Sequence, residues 1–331
     1  MILVLVETEA GPESIQVSEV SLETLALARS LAAEGGGIKI RALVVGDVAD
    51  REGLAAELGA HGVSEVHQAV GEAFLSFGGA SWAAALQAAR ESTGSVVVVA
   101  GGSPRGGEVL AHLAARLDVP MAANVVSFSG LAPFVVSRQV VGGSALEEML
   151  LDRRPAVLTV AGHSWTAARA ETSTVATWHA FTPEVSDADL VARVVSTGQK
   201  EPDHSDSLKT ARVVVGAGRG AGGPEGFAAV AELAELLHGS LGVSRVVTSL
   251  GWRPHHEQVG QTGSRISPEV YIPCGISGAI QHWAGCASSK TILAINTDPD
   301  APMMTKATYA VVGDMHEVVP AVIQELRRRR G

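Results

Sequence analysis

The strongest constraint on the fold is an alternation that runs through most of the chain. Short, continuous apolar runs are separated by Ala- and Leu-rich amphipathic stretches. In the first part the apolar runs fall at residues 2–6, 38–45 and 96–100, and the helical stretches at 22–33, 54–58, 82–90 and 107–117. A strand that alternates polar and apolar residues has one wet face. A strand that is apolar throughout has none, so both faces of its sheet must be covered, and the intervening helices cover them. This predicts an α/β domain with a mainly parallel, doubly wound sheet. From about 125 to 195, strand-like runs (VVSF, FVVSRQVV, AVLTV) follow one another without long helices, which predicts added strands completing the sheet.

The stretch 198–207 (GQKEPDHSDS) carries Pro, Ser and Asp and almost no apolar residue, as a linker does. Alternation then restarts. Strands are expected at 212–215, 245–248, 270–274, 291–295 and 309–312, and helices at 226–237, 277–284 and 315–330. The expected organisation is an N-terminal α/β domain (1–197), a linker (198–210) and a second doubly wound, Rossmann-like domain (211–331).

Charge and cysteine usage narrow the function classes. The formal net charge is −10, which argues against nucleic acid as a partner, because phosphate neutralisation needs a basic surface. The one basic run, 327–330, reads as a helix end complementing its dipole. Cys274 and Cys286 are too few and too badly spaced for a metal knuckle or a disulfide framework. The N-terminus MILVLVETEA has no basic leader and reads as a first strand. No apolar stretch approaches the roughly 18 residues that span a bilayer. A soluble, cytoplasmic protein with reduced thiols is expected. His255, His256 and Glu257 are adjacent and cannot share one helical face, so no metal site is expected there.

The segment richest in chemistry is 271–296, YIPCGISGAIQHWAGCASSKTILAIN. A strand runs into Gly275, turns, and is expected to open a helix near Ser277. Ile276, Ala279, Ile280, Trp283 and Ala284 would form the stripe facing the sheet. Ser277, Gln281 and His282 would form a polar cluster on the exposed side. Such a turn offers free backbone N–H groups to a phosphate or an electron-rich carbonyl, and it lies where open α/β sheets bind ligands. Read alone, the segment fits a packed helix with a solvated face equally well. Two look-alikes fail. Residues 216–221 (GAGRGA) mimic a dinucleotide fingerprint, yet the expected next strand ends Thr248, Ser249, Leu250 with no acid for a ribose. GISGA mimics a hydrolase elbow, yet Ala279 replaces its second glycine.

GISGAIQH, followed by Gly285 and then by ILAIN, resembles the FAD-binding pattern of electron transfer flavoprotein alpha subunits. Val270 and Pro273 depart from the usual residues of the strand before it, Pro273 by lacking an N–H. QVGQTG (258–263), VSR (243–245) and GRG (218–220) extend the resemblance upstream, and Asn296, Asp314 and Met315 extend it downstream. The first half is similar more diffusely, through GGSPRGGEVLAHLAARLDVP and SRQVVGGSA; Ala161 stands where the family commonly has Arg.

The resemblance implies a bound FAD. Val259, Gly260, Gln261 and Thr262 would touch the isoalloxazine, with Thr262 near N5, Arg245 over the ring, Ser244 beside it and Arg219 as a further contact. Ser277, Gly278, Ala279, Ile280, Gln281 and His282 would form the central cradle, with His282 bringing positive charge to the N1–C2=O edge. Asn296, Asp314 and Met315 would hold the adenosine half. Read alone, Asp314 with Glu317 is also a capping box, Asn296 a turn residue, and the two arginines solvated loop residues. The family further implies an electron carrier rather than an enzyme, paired with a smaller beta subunit that usually holds AMP. It would be reduced by acyl-CoA-type dehydrogenases and oxidised by a membrane quinone oxidoreductase, with its flavin domain swivelling on the linker. Two other readings stay open. One is a bifurcating relative that uses NADH and a second FAD in the beta subunit. The other is a nucleotide-binding protein with a degenerate flavin site, because Ser249-Leu250-Gly251 and Pro254-His255-His256 replace the family's usual Asp-Ala-Gly and Pro-Asn-Asp.

Overall fold

The computed structural model describes residues 1–10, 15–143, 145–192, 194 and 205–330. The chain divides into two compact units, Met1–Gln139 with Leu146–Gly198, and Val140–Ala145 with Gln199–Gly331. The expected linker falls mostly on residues outside those described.

The first unit is built on a nine-stranded sheet. Its strands are β1 (Ile2–Leu5), β2 (Ile40–Val45), β3 (Val63–Ala69), β4 (Val97–Gly101), β5 (Met121–Ser129), β6 (Val135–Val140), β7 (Ala145–Leu150), β8 (Ala156–Val160) and β9 (Thr177–Phe181). They lie in the order β9-β3-β2-β1-β4-β8-β5-β6-β7. The pairs from β9 to β5 are parallel, and β5 pairs antiparallel with β6. Every residue of β1, β4 and β8 is buried, as their unbroken apolar character requires. Helices α1 (Glu19–Glu34), α2 (Arg51–Ala60), α3 (Gly79–Thr93) and α4 (Pro104–Leu117) follow β1 to β4 and build the two core layers. The runs after residue 125 add strands to this sheet, as expected.

The second unit is a five-stranded, wholly parallel sheet with the order β11-β10-β12-β13-β14. Its strands are β10 (Val213–Ala217), β11 (Ser240–Val243), β12 (Val270–Cys274), β13 (Thr291–Asn296) and β14 (Tyr309–Val312). Its helices are α5 (Ser205–Thr210), α6 (Ala228–Leu236), α7 (Arg245–Ser249), α8 (Ile280–Cys286), α9 (Pro302–Lys306) and α10 (Met315–Arg330). Strand side chains alternate between two cores. Val215, Ala217, Ile272, Cys274 and Ile295 meet Val230 and Leu233 of α6 and Val319 and Ile323 of α10. Val214, Tyr271, Ile292 and Ala294 meet Cys286 of α8 and Met303 and Met304 of α9.

Three expectations fail in this unit. Residues 245–248 form helix α7, not a strand. The place beside β10 is filled by Ser240–Val243, in register with Val214–Ala217, so the chain has already passed the sheet when it reaches Arg245. The β-branched Val-Val-Thr run suggests a strand locally, but topology overrides it. Next, α8 starts at Ile280, not near Ser277, because Gly275 (φ +60°) and Gly278 (φ +79°) hold left-handed turns that no α-helix contains. The buried side of α8 is consequently His282, Gly285 and Cys286 rather than the predicted stripe, and Ile280 is 72% exposed. Pro273, meanwhile, sits in the central strand β12. The Val270 N–H donates to Arg212 on the β10 side and the Gly275 N–H to Ile295 on the β13 side. By that alternation the missing N–H of Pro273 faces β13, and there the pairing skips from Tyr271 to Cys274.

A candidate dinucleotide cleft in the second domain

A cleft of about 650 Å³ opens over the carboxyl ends of the second sheet. Strand order reverses between β10 and β12, with β11 on one side and β13 and β14 on the other. The two connections diverge there and leave a crevice, the usual ligand position in such folds. Each strand contributes the residues that follow it: Arg219 and Gly220 after β10, Ser244 and Arg245 after β11, Gly275 to Ala279 after β12, Thr297 and Asp298 after β13, and Gly313 to His316 after β14.

The floor is held by backbone. Gly218 donates to the Cys274 carbonyl (3.0 Å), Gly220 to Gly275 (3.1 Å) and Met303 to Ser277 (3.0 Å). A β-carbon on Gly278 would lie 2.6 Å from the Met303 nitrogen, so a side chain is excluded by contact as well as by φ. Asn296 makes the turn the sequence suggests and more. Its Oδ1 accepts from Asp298 N–H (3.1 Å) and its Nδ2 donates to the Ile276 carbonyl (3.1 Å), tying the turn after β13 to the one after β12. The 258–263 loop is braced on α8, where Gln261 N–H donates to the Gln281 carbonyl (2.8 Å). Within the loop Gln258 donates to Thr262 Oγ1 (3.0 Å) and accepts from Thr248 (2.8 Å).

Asp314 Oδ1 caps α10 by accepting from His316 N–H (2.9 Å). Asp314→Ala should therefore cost about 1 kcal/mol of domain stability, read as a lower urea midpoint. An unchanged midpoint would remove the cap from the account.

Fifteen of the sixteen residues expected at the site border this one cleft: Arg219, Ser244, Arg245, Val259, Gly260, Gln261, Thr262, Ser277, Gly278, Ala279, Gln281, His282, Asn296, Asp314 and Met315. Ile280 does not. It is the first residue of α8, and its side chain is in solvent. Sequence reasoning missed Gly220, Val246, Gln258, Gly275, Ile276, Thr297, Asp298, Ala301, Gly313 and His316. Gln258, Gly220 and the turn glycine were legible inside the quoted motifs. Ala301 and His316 arrive through chain folding alone. Ser249, Leu250, His255 and His256, the departures from the family pattern, do not border the cleft.

His282 needs a second correction. It was expected on an exposed face, carrying positive charge. It is 7% exposed, and its Nε2 lies 2.8 Å from the hydroxyl of the fully buried Tyr271. Burial pushes the imidazole down to about 4, with an interaction with the Val259 backbone opposing it, so the ring is neutral at pH 7. The cations at the cleft are Arg219 and Arg245. Both are exposed, and neither makes an ion pair or side-chain hydrogen bond among the described residues.

Two groups at the cleft are left wanting. Ser244 Oγ and His282 Nδ1 are buried with no well-formed hydrogen bond, and they are the only such atoms found in the second unit among the described residues. An unsatisfied buried polar group costs about 1–3 kcal/mol. Two of them bordering one crevice, beside two unpaired guanidiniums, fit a ligand with polar ring edges and a diphosphate.

Comparison with known proteins agrees with this geometry. Residues 3–184, more than half of the chain, match the electron transfer flavoprotein domain, and residues 207–287 match the electron transfer flavoprotein FAD-binding domain. The chain belongs to the electron transfer flavoprotein alpha subunit family. Among its relatives, the electron transfer flavoprotein subunit alpha of Thermoanaerobacterium thermosaccharolyticum is 31% identical over 95% of this chain and 94% of its own. That of Mycobacterium leprae is 33% identical over 99% of each, and Protein FixB of Clostridium saccharobutylicum is 30% identical over 94% of this chain and 93% of its own. This alpha subunit is thus an electron-transport flavoprotein whose cofactor is FAD, and its family implies a heterodimer with a beta subunit. Among the described residues no helix is long and apolar enough to cross a membrane.

Proposed function

We propose that FAD lies in the cleft over β10–β14 and that the subunit works as an electron carrier. It would take electrons from acyl-CoA-type dehydrogenases and deliver them to a membrane quinone oxidoreductase. The observation that carries the placement is the convergence of Ser244 Oγ, His282 Nδ1 and two unpaired guanidiniums on one crevice at the strand-order reversal. Bound FAD supplies the redox chemistry. The protein supplies the setting. Thr262 and the 258–263 loop, Ser244 and Arg245 would hold the isoalloxazine side, Ser277 to Ala279 with Gln281 and His282 the centre, and Asn296, Asp314 and Met315 the adenosine side. Gly275 and Gly278 in the turn at 275–279 carry no side chain, so the cofactor could come close to the backbone there.

Arg245 is the electrostatic lever of this arrangement. A cation there favours the flavin when it carries negative charge. Because the guanidinium is exposed, its contribution is about 1 kcal/mol rather than the larger values of dry sites. Arg245→Ala should lower the first reduction potential by that amount, and a redox titration that does not move refutes the role. The reading as a whole is tested on the heterodimer co-expressed with its beta subunit. A yellow protein with one FAD per alpha subunit, bleached by an acyl-CoA dehydrogenase with its substrate, is expected. Full FAD occupancy in a His282→Asn, Ser244→Ala, Arg245→Ala triple variant would place the cofactor elsewhere.

A further inference from the structure

From the pairing of Tyr271 with His282 we infer that Tyr271 is a positioning residue. Its hydroxyl donates to His282 Nε2, locks the imidazole as the neutral Nδ1–H tautomer, and so turns His282 into a hydrogen-bond donor toward an electron-rich edge of the cofactor. The inference rests on FAD occupying the cleft, and deepens that reading.

Tyr271 is 0% exposed, and among the described residues its hydroxyl has one hydrogen-bond partner, His282 Nε2 at 2.8 Å. Two arrangements are possible. If Nε2 carried the proton and donated to the phenol oxygen, the phenol's own proton would be buried with no acceptor comparable to an imidazole nitrogen. The nearby thiols of Cys274 and Cys286 do not provide one. Burial pushes both up to about 12, so they stay protonated, and a thiol sulfur is a weak acceptor. If the phenol donates to Nε2, both groups of the pair are satisfied. A neutral imidazole has one N–H, so that N–H must then be at Nδ1. Burial also drives the phenol well above its ordinary value and the imidazole down to about 4, so neither group escapes the choice by ionising.

The geometry fixes the pair. The two rings stack at 6.1 Å with 26° between their planes. Tyr271 is anchored in β12, paired with Val214 on one side and Ile292 on the other. Gly216 leaves room for the hydroxyl, since a β-carbon there would lie 2.6 Å from it. With Nε2 committed to the core, Nδ1 is the ring's remaining polar atom, and it is the one left unsatisfied beside the cleft. A neutral donor is also compatible with both charge states of a cofactor, because it contributes a dipole rather than a full charge.

The test uses the full-length chain co-purified with its beta subunit and labelled with ring-15N histidine. The His282 signals are assigned by their loss in His282→Asn. At neutral pH the expected result is a pyrrole-type Nδ1 and a pyridine-type Nε2. Removing FAD should shift Nδ1 and leave Nε2 in place. Tyr271→Phe should convert the ring to the other tautomer or to a mixture, and weaken FAD about tenfold, the scale of one lost donor to a polar group. A protonated Nε2 or a charged imidazolium in the wild type overturns the tautomer assignment whether or not FAD is bound. An Nδ1 signal unmoved by FAD removal overturns the donation by showing that the cofactor lies elsewhere, even where the tautomer is as stated. The wild-type spectrum decides the assignment even if Tyr271→Phe fails to fold.

Discussion

Replacing Gly285 with alanine should displace the 258–263 loop. Gly285 lies in α8 with its Cα against the backbone of the 258–263 loop. A β-carbon there would sit 2.3 Å from Gly260 Cα, 2.4 Å from Gly260 N and 2.9 Å from Gly260 C. Those atoms are main chain and cannot rotate away. The chain that follows the contact is also tied to α8, by Gln261 N–H to Gln281 (2.8 Å) and by Ile266 N–H to Gly285 (2.8 Å). Relief therefore requires moving the loop or the helix as a whole and stretching those bonds. Overpacking of this kind costs about 1–3 kcal/mol, and the upper part of that range is expected here. The loop carries Thr262, so FAD should bind at least tenfold more weakly, a loss of about 1.4 kcal/mol. Gly107 makes the contrast. It lies in α4, and a β-carbon there meets nothing within 4 Å. Gly107→Ala should be neutral or stabilising by up to about 1 kcal/mol. Urea midpoints and FAD fluorescence titrations of both variants measure the difference. Equal behaviour of the two would show that the α8–loop contact does not matter.

How far this is legible in advance depends on what each residue answers to. The continuous apolar strands announce a covered parallel sheet, because burial on both faces leaves no other composition possible, and β1, β4 and β8 are buried at every position. The cleft is legible because its residues follow the strands in chain order, each in its own turn. Where a residue's environment is decided by a distant partner, local pattern misleads. Val246, Val247 and Thr248 favour a strand by their branching, but the register of β11 leaves no place for one. The helical stripe through Ile276 and Ile280 assumes an unbroken helix, and the left-handed glycines at 275 and 278 change which face of α8 is buried. Ile280 is exposed and His282 buried for that one reason. The identity of His282's partner could not be read from helical spacing, since Tyr271 lies on the preceding strand and reaches it only across the turn.

The stability of the second domain should fall in mild acid, and His282 should be the reason. Its folded-state value is about 4, against 6.5 for an imidazole in water, with desolvation as the leading cause. A group whose value is depressed by folding is protonated more readily in the unfolded chain. Its effect on stability is therefore absent above 6.5, grows as the pH falls below 6.5, and levels off below about 4. The interval is worth roughly 3 kcal/mol, at 1.36 kcal/mol per tenfold change in proton affinity. Other buried groups of the chain act at the same time. His61 and His67 are also lowered by burial and have the same sign, whereas Glu7, raised by burial, gains stability as the pH falls. All three lie in the first unit, so the comparison must be local and differential. Amide exchange in β12 and β13 of the wild type should accelerate between pH 6.5 and 4, after correction for intrinsic rates, by the equivalent of about 3 kcal/mol. His282→Asn cannot titrate in this range. It should begin less stable at neutral pH, show a flatter profile, and meet or overtake the wild type near pH 4. Parallel profiles for the two proteins would show that folding leaves the imidazole's proton affinity unchanged, and the account of a desolvated His282 held neutral by burial would fall with it.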